Sequence, residues 1–213
     1  MKSGFSHTLR GLFRGQTLLR IRMNEAFSNC TVSGRVVDVG GGRNPDYCRY
    51  LDTTGMSSFE AVDGSISGIN FERDPLPYED ATVDTVILAN VLEHIYNHRY
   101  LLAELRRILV ARGRLVGFVP FWTGYHPDPH DYFRYTKEAL ERLLADAGFS
   151  MITVTPVGGG PFVANFNTIV LSMPRVFRPA LYIPYWLLDT VFLRLRPKAR
   201  DRNPLGFVFT AHA

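Results

Sequence analysis

Cysteine and long apolar runs are scarce in this sequence. Its 213 residues include only Cys30 and Cys48, which are too few for a disulfide framework and suit a reducing compartment. No stretch of about eighteen consecutive apolar residues is present, so no transmembrane helix is predicted. Residues 1–15 are interrupted by charges and glycines and lack the apolar centre of a signal peptide, so we expect a cytoplasmic location.

Lysine is also scarce, although the net charge is +4. Neither a zinc-finger spacing nor an aromatic RNA-binding signature accompanies that charge, so no nucleic-acid partner is predicted. The charge is uneven, because residues 1–35 and residues 175–202 each carry a net +5 and the rest of the chain carries −6. Two basic segments of this kind favour contact with an anionic surface, or form a solvated basic rim.

What the sequence does contain is typical of a globular α/β protein. Apolar residues make up 46% and aromatic residues 13%, which excludes a disordered or coiled-coil chain. Strands and helices alternate in the pattern of a mostly parallel sheet with helices on both faces. The predicted strands are 35–39, 58–62, 69–72, 82–89, 114–119 and 149–157, and the predicted helices are 5–27, 97–110 and 137–147.

Polar residues follow several of the predicted strands, where sheets of this type bind their ligands. The first strand ends in the run Asp38-Val39-Gly40-Gly41-Gly42, and glycines allow a ligand to approach the backbone closely. Asp63 ends the second strand and is placed to accept hydrogen bonds from ribose hydroxyls, while Asp74 is placed to meet an adenine amino group. Each acid alone would be an ordinary surface carboxylate, but together they indicate a nucleoside-containing cofactor.

Further motifs in the same order give the chain a family resemblance. Val83-Asp84-Thr85-Val86, Leu92-Glu93-His94 and Ala147-Gly148-Phe149 follow the acids just described. Over about residues 35–157 the sequence resembles the class I S-adenosylmethionine-dependent methyltransferases. The resemblance implies a Rossmann-like, seven-stranded, mostly parallel sheet that a strand at 206–211 closes. It also implies a cofactor, S-adenosylmethionine, that contacts Asp38, Gly40, Gly41, Gly42, Asp63, Asp74, Leu76 and Asn90.

One position departs from the family pattern. Asn44 stands where the family usually has a further glycine. A subset of the family instead has a proline and a tyrosine soon after the glycines, as Pro45 and Tyr47 are here, and a segment like 125–136. That subset is similar to methyltransferases of glycan and polysaccharide assembly, which implies the acceptor class only loosely.

The segment 120–136 is the richest in chemistry. We expect His126, His130 or Asp131 to act as the general base toward an acceptor hydroxyl. The resemblance places His94 at the cofactor or acceptor side, and we expect His94 and Arg134 to bind the acceptor. No metal site is predicted, since prolines 127 and 129 prevent a helix that would align the two histidines of this segment. The alternatives are a local pair of Asp131 with Arg134 and a packed, purely structural His94.

A late segment interrupts the predicted sheet. Residues 158–205 hold two apolar stretches, 162–174 and 179–195, with arginines around them. Three roles are open for this insertion: contact with an anionic membrane from the inner face, a homodimer surface through 162–202, or cover for the sheet. The expected organisation is therefore an amphipathic helical segment over 1–34, a methyltransferase domain over 35–157 and 206–213, and the insertion.

These observations predict methyl transfer from S-adenosylmethionine to a small-molecule, glycan or lipid-linked acceptor, at a hydroxyl oxygen. Two alternatives remain open. One is a non-catalytic S-adenosylmethionine-binding scaffold of a membrane-bound assembly. The other is a dinucleotide-dependent oxidoreductase, although a G-x-G-x-x-G run is missing and Asp74 would be unexplained.

Overall fold

The computed structural model describes residues 4–42 and 45–213. Its centre is a six-stranded sheet with the order β2-β1-β3-β4-β6-β5. Neighbouring strands from β2 to β4 are parallel, and β6 runs antiparallel to both β4 and β5. The strands are β1 (Thr31–Val39), β2 (Asp52–Val62), β3 (Val83–Ala89), β4 (Leu109–Pro120), β5 (Ser150–Val157) and β6 (Gly206–His212).

Helices cover both faces of this sheet, and on one face a further layer of helices packs outside the first. The predicted α/β, Rossmann-like class is confirmed, including the antiparallel closing strand. Three short 3₁₀ turns at 46–50, 92–94 and 170–172 complete the described elements. The helices are α1 (Phe5–Phe13), α2 (Leu18–Phe27), α3 (Gly64–Ser67), α4 (His98–Ile108), α5 (Lys137–Asp146), α6 (Pro161–Ile169), α7 (Arg178–Leu195) and α8 (Ala199–Arg202).

The strand predicted at 69–72 is wrong, which accounts for six strands where seven were expected. Asn70 and Asp74 close a turn there instead, because the Asp74 carboxylate accepts a hydrogen bond from the Asn70 N–H at 2.9 Å. The Asn70 side chain in turn accepts from the N–H of Glu72 at 2.9 Å. Asparagine and aspartate side chains compete with a strand ladder for backbone groups in this way.

The single helix predicted over 5–27 is also wrong, because it consists of two helices. Gly15 adopts a φ of +91°, a left-handed conformation that ends a helix and that glycine tolerates best. Thr17 then caps α2, since its hydroxyl accepts a hydrogen bond from the Arg20 N–H at 3.1 Å. The break turns the chain so that α1 and α2 pack against different parts of the molecule.

Three clusters of buried side chains result. One lies between the sheet and helices α4 and α5, and a second lies on the opposite face under α2 and the turn 46–50. The third joins α1, the start of α2, α6 and α7, so the two helical segments outside the sheet pack on each other. The glycine turn and the loop after β4 lie at the carboxyl ends of the parallel strands.

Helix α7 presents two different faces. On its inner face Asp189 is 4% exposed, and its carboxylate accepts hydrogen bonds from the N–H groups of Phe162 and Val163 at the start of α6. Trp186 packs on Phe5 with 4.4 Å between ring centroids. The outer face exposes Leu187, Leu188, Val191 and Leu195. Within the described residues, no helix has the length and apolar content to span a membrane.

Candidate functional site

Asp38 lies at the end of β1 and is fully buried. The Tyr47 hydroxyl donates to its carboxylate, at 2.8 Å from each oxygen. Burial raises the pKa of Asp38 to about 7, and the hydrogen bond from Tyr47 offsets part of that rise. Tyr47 thus ties the residues after the glycine turn to the strand before it.

The glycine turn that follows is fastened to the end of β2. The Gly40 N–H donates to the carbonyl of Val62 at 2.7 Å, and the Gly42 N–H donates to the Asp63 carboxylate at 3.1 Å. Gly40 and Gly42 have φ values of +82° and +69°, which favour glycine. A Cβ on Gly41 would lie 2.1 Å from an Asp38 carboxylate oxygen, so the turn has no room for a side chain there.

A cavity of about 560 Å³ opens beside this turn. Its volume is in the range of small-molecule and cofactor sites. The start of α2, the glycine turn, the end of β3 and the loops after β3 and β4 all contribute to its wall. Among its lining residues are Arg20, Gly40, Gly41, Asn90, His94 and His126. The structure therefore brings together groups from three predicted strand exits.

Asp63, the predicted ribose-binding acid, borders the turn from the β2 side. Besides the Gly42 N–H, its carboxylate accepts hydrogen bonds from the N–H and the hydroxyl of Ser65 at the start of α3. An ionised carboxylate has about four acceptor positions, so the Asp63 side chain keeps capacity for a further donor.

Three other predicted cofactor residues have different surroundings. Asn90 lines the cavity in a left-handed conformation with a φ of +55°. Asp74 lies in its own turn, and Leu76 is 3% exposed in the core with its N–H donating to Glu104 at 2.9 Å. Neither Asp74 nor Leu76 is part of the cavity wall, and their contact with the cofactor stays a prediction. Asn44 lies outside the described residues.

The loop after β4 is organised by a partly buried ion pair. Arg134 donates to both carboxylate oxygens of Asp131, at 2.6 and 2.7 Å, and the His126 N–H donates to one of them at 2.9 Å. The hydrogen bonds from Arg134 hold the pKa of Asp131 well below its usual range. The alternative of a local pair thus holds. This pairing argues against Asp131 as the base, and the binding of the acceptor by Arg134 stays a prediction.

The three predicted histidines occupy different environments. His130 is exposed, packs on Tyr132 and contributes its backbone carbonyl as acceptor for Nδ1 of His94. Its ring is not part of the cavity wall, which argues against His130 as the base. His94 and His126 do line the cavity, with 5.2 Å between their ring centroids. The pKa of His126 is raised, and the main cause is the nearby Glu93 carboxylate.

Glu93 is the residue that sequence reasoning missed. It is fully buried, and neither of its carboxylate oxygens has a hydrogen-bond partner among the described residues. One of these oxygens lies 3.6 Å from Nε2 of His94 and 3.9 Å from Nε2 of His126. The adjacency of Glu93 and His94 was a visible signal, but the approach of His126 depends on the path of a loop.

Comparison with known proteins identifies the class. Residues 12–154 match the methyltransferase domain family, and the chain belongs to that family. The chain is 30% identical over 179 residues to an uncharacterised 37.1 kDa protein of transposon TN4556 from Streptomyces fradiae, covering 73% of this chain and 50% of that protein. It therefore spans about half the length of that relative.

Two further similarities agree with this. An uncharacterised methyltransferase of Mycobacterium sp. strain JLS is 25% identical over 185 residues, covering 76% of this chain and 71% of that protein. The 1,6-didemethyltoxoflavin-N1-methyltransferase of Burkholderia thailandensis, solved with S-adenosylhomocysteine, has the same fold. Its TM-score is 0.53 at 18% identity, covering 97% of this chain and 82% of that one.

The chain therefore carries a methyltransferase domain with the class I fold, and the cofactor of this domain is S-adenosylmethionine. The residues present fit that group. The glycine turn leaves its backbone bare beside a cavity of suitable size, and Asp63 adds an acceptor for hydroxyl donors. The expectation of S-adenosylmethionine as cofactor is thereby confirmed.

Proposed function

We propose that this chain transfers the methyl group of S-adenosylmethionine to a hydroxyl oxygen of an acceptor bound in the 560 Å³ cavity. The observation that carries the proposal is the makeup of the cavity wall. The glycine turn, Gly40 and Gly41, forms one side, and the two histidines His94 and His126 form the other. A cofactor held at the glycine turn and a proton-accepting histidine can therefore act on the same bound acceptor.

The chemistry asks little of the protein beyond placement. Bound S-adenosylmethionine supplies a methyl group on a positively charged sulfur, which is already electrophilic. The chain aligns the acceptor, excludes water and provides a route for the hydroxyl proton. Of the three predicted bases, His126 is favoured, since Asp131 is paired with Arg134 and His130 is exposed.

On the cofactor side, Asp63 is proposed to accept hydrogen bonds from the ribose hydroxyls. The glycine turn, Gly40 to Gly42, would let the cofactor approach the backbone. Asp38, buried at the end of β1, would support that turn. Asn90 would contact the cofactor from the end of β3. The Asp63 carboxylate borders the turn and keeps about one free acceptor position for such a donor.

The acceptor class is inferred from charge and from the outer surface. Arg20 of α2 lines the cavity, and its guanidinium would bind a phosphate or carboxylate of the acceptor. The resemblance to methyltransferases of glycan assembly agrees with a glycan or lipid-linked acceptor that carries such a group. The exposed apolar face of α7 would bring the chain to a membrane that holds a lipid-linked acceptor.

A panel assay tests the proposal. Transfer of a labelled methyl group is measured for anionic, hydroxyl-bearing glycans, lipid-linked sugars and small molecules. We expect product with at least one class, and His126→Asn should lower turnover by about 10²-fold while S-adenosylmethionine affinity stays near that of the wild type. The matched control is His212→Asn, which changes a histidine on β6. Cofactor binding without transfer to any acceptor would favour the scaffold alternative.

A further inference from the structure

We propose that Glu93, His94 and His126 bind a divalent transition-metal ion of the zinc type in the wall of the cavity. One ligand atom from each residue lies within 4.8 Å of the other two. The inference rests on the proposed function for the chemical role of the ion, but the binding itself can be tested independently. The cluster joins a 3₁₀ turn after β3 to a loop after β4.

The contacts of the two imidazoles show which ring nitrogen of each carries a proton. Nδ1 of His94 contacts the carbonyl oxygen of His130, and Nδ1 of His126 lies 2.9 Å from the carbonyl oxygen of Gly124. A carbonyl oxygen can only accept, so both Nδ1 atoms carry the proton. Arg134 also approaches Nδ1 of His126, but at 3.3 Å, and it donates to Gly124 and Asp131 as well.

An imidazole that keeps its proton on Nδ1 offers the lone pair of Nε2 to a metal ion, and the ion takes the place of any second proton there. Both Nε2 atoms face the same carboxylate oxygen of Glu93, at 3.6 and 3.9 Å. These distances are too long for hydrogen bonds, and the Glu93 carboxylate has no hydrogen-bond partner among the described residues. Three possible electron-pair donors thus converge around a fully buried carboxylate, whose burial without a partner is costly unless a cation lies beside it.

The arrangement matches what a catalytic zinc site requires. Two histidines and one glutamate are a common three-ligand set that leaves a fourth position for water or substrate. Histidine ligands usually donate their second ring N–H to a carbonyl or carboxylate, as His94 and His126 do here. Because both histidines line the cavity, the fourth position would face the acceptor.

The ion would also explain how the acceptor hydroxyl becomes a nucleophile. A divalent cation beside the hydroxyl favours its ionisation, and the proton leaves to solvent. An electron pair of the oxygen then forms the new bond to the methyl carbon. The carbon–sulfur bond breaks, its electron pair stays on sulfur, and the positive charge of the sulfonium is lost. His126 is then a ligand to the ion rather than a base acting alone.

The test is metal binding by the full chain, without cofactor or acceptor. Protein freed of metal with a chelator is titrated with Co²⁺ and with Zn²⁺, and bound metal is counted by mass spectrometry. We expect one ion per chain and visible Co²⁺ absorption bands that report nitrogen and oxygen ligation. Glu93→Gln and His126→Asn should each weaken binding by about 100-fold or more. Loss of a residue that only supports a metal ligand costs about 10- to 100-fold in affinity, and loss of a ligand itself should cost at least as much. His212→Asn should bind as the wild type does.

The outcomes separate this inference from the proposed function. Absence of stoichiometric Co²⁺ and Zn²⁺ binding, or wild-type affinity in folded Glu93→Gln and His126→Asn, would overturn the metal site and leave two protonated histidines around Glu93 as the explanation. Circular dichroism confirms that each variant is folded, and Glu93→Asp, which keeps the charge, should retain measurable binding. If the wild type does not bind S-adenosylmethionine, the proposed function is overturned and the metal result is unaffected.

Discussion

The two sides of the cavity are built in different ways. On the cofactor side, Asp38, the glycine turn and Asp63 lie at the ends of two adjacent parallel strands. Hydrogen bonds between the two strand ends, and from Tyr47 to Asp38, hold them in place. On the acceptor side, Glu93 and His126 meet only because a loop folds back over the end of β3. The first side is therefore set by the sheet, whereas the second depends on how the loop is anchored.

The largest expected effect concerns the pH dependence of folding on the cofactor side. Burial raises the pKa of Asp38 from 3.8 to about 7, so the native state keeps a proton that the unfolded chain has released. Its contribution is fully present below pH 3.8 and is lost as pH rises through about 7, amounting to at most roughly 4 kcal/mol. Denaturant unfolding across this range should show the decline.

Two variants sharpen that result. Asp38→Asn should remove the decline, because the amide does not titrate. Tyr47→Phe should move it to higher pH, because the Tyr47 hydrogen bond lowers the pKa of Asp38. An unchanged pH profile in Asp38→Asn would contradict the assignment of the buried proton.

On the acceptor side, Asp131→Ala should remove the ion pair that orders the loop after β4, while the cofactor side stays intact. The change leaves Arg134 without its bidentate partner, and we expect a loss of about 2–3 kcal/mol in unfolding free energy, less than for a fully buried pair because Arg134 is 26% exposed. S-adenosylmethionine affinity should stay near that of the wild type. Asp146→Ala, at an exposed end of α5, is the control. A matching loss of cofactor affinity would show that the two sides are not independent.

A pair of glycine variants compares the two sides directly. Gly41→Ala places a Cβ 2.1 Å from the Asp38 carboxylate, whereas Gly124→Ala places one in open space in the loop after β4. We expect Gly41→Ala to cost about 1–3 kcal/mol in unfolding free energy and to weaken cofactor binding, and Gly124→Ala to have little effect. Equal effects would contradict the tight packing of the glycine turn.

The smallest expected effect concerns the outer surface of α7. The Trp186 ring packs on Phe5, whereas Leu188 and Val191 are exposed beside the basic end of the helix. Anionic vesicles should therefore retain the protein at low salt, with about 1 kcal/mol from each basic group. Replacing Arg194 and Arg196 by Gln should weaken the binding.

The control for this surface is Arg99→Gln, on α4 across the sheet. Sedimentation with neutral and anionic vesicles, at low and high salt, distinguishes the arginine contribution. Equal retention by both vesicle types would argue against charge recognition. A stable dimer without lipid would favour the homodimer alternative for residues 162–202.

How much the sequence could predict follows the same division. The ends of β1, β2, β3 and β4, the helix α5 and the closing strand β6 depend on local patterns, and they were predicted correctly. The strand at 69–72 failed because the Asn70 and Asp74 side chains capture the backbone, which hydrophobicity does not reveal. The role of Glu93 could not be predicted, since its burial and its contact with His126 arise from loop packing.

The most direct measurement is a calorimetric titration of the purified chain with S-adenosylmethionine and, separately, with NAD. We predict that the chain binds S-adenosylmethionine and does not bind NAD. In folded Asp63→Ala the affinity should fall about ten- to a hundredfold, the cost of a charge-assisted hydrogen bond of about 1.5–3 kcal/mol. Ser65→Ala, which keeps the carboxylate and removes one of its neighbours, should bind like the wild type. Unchanged binding in Asp63→Ala, or binding of NAD in place of S-adenosylmethionine, would contradict the account.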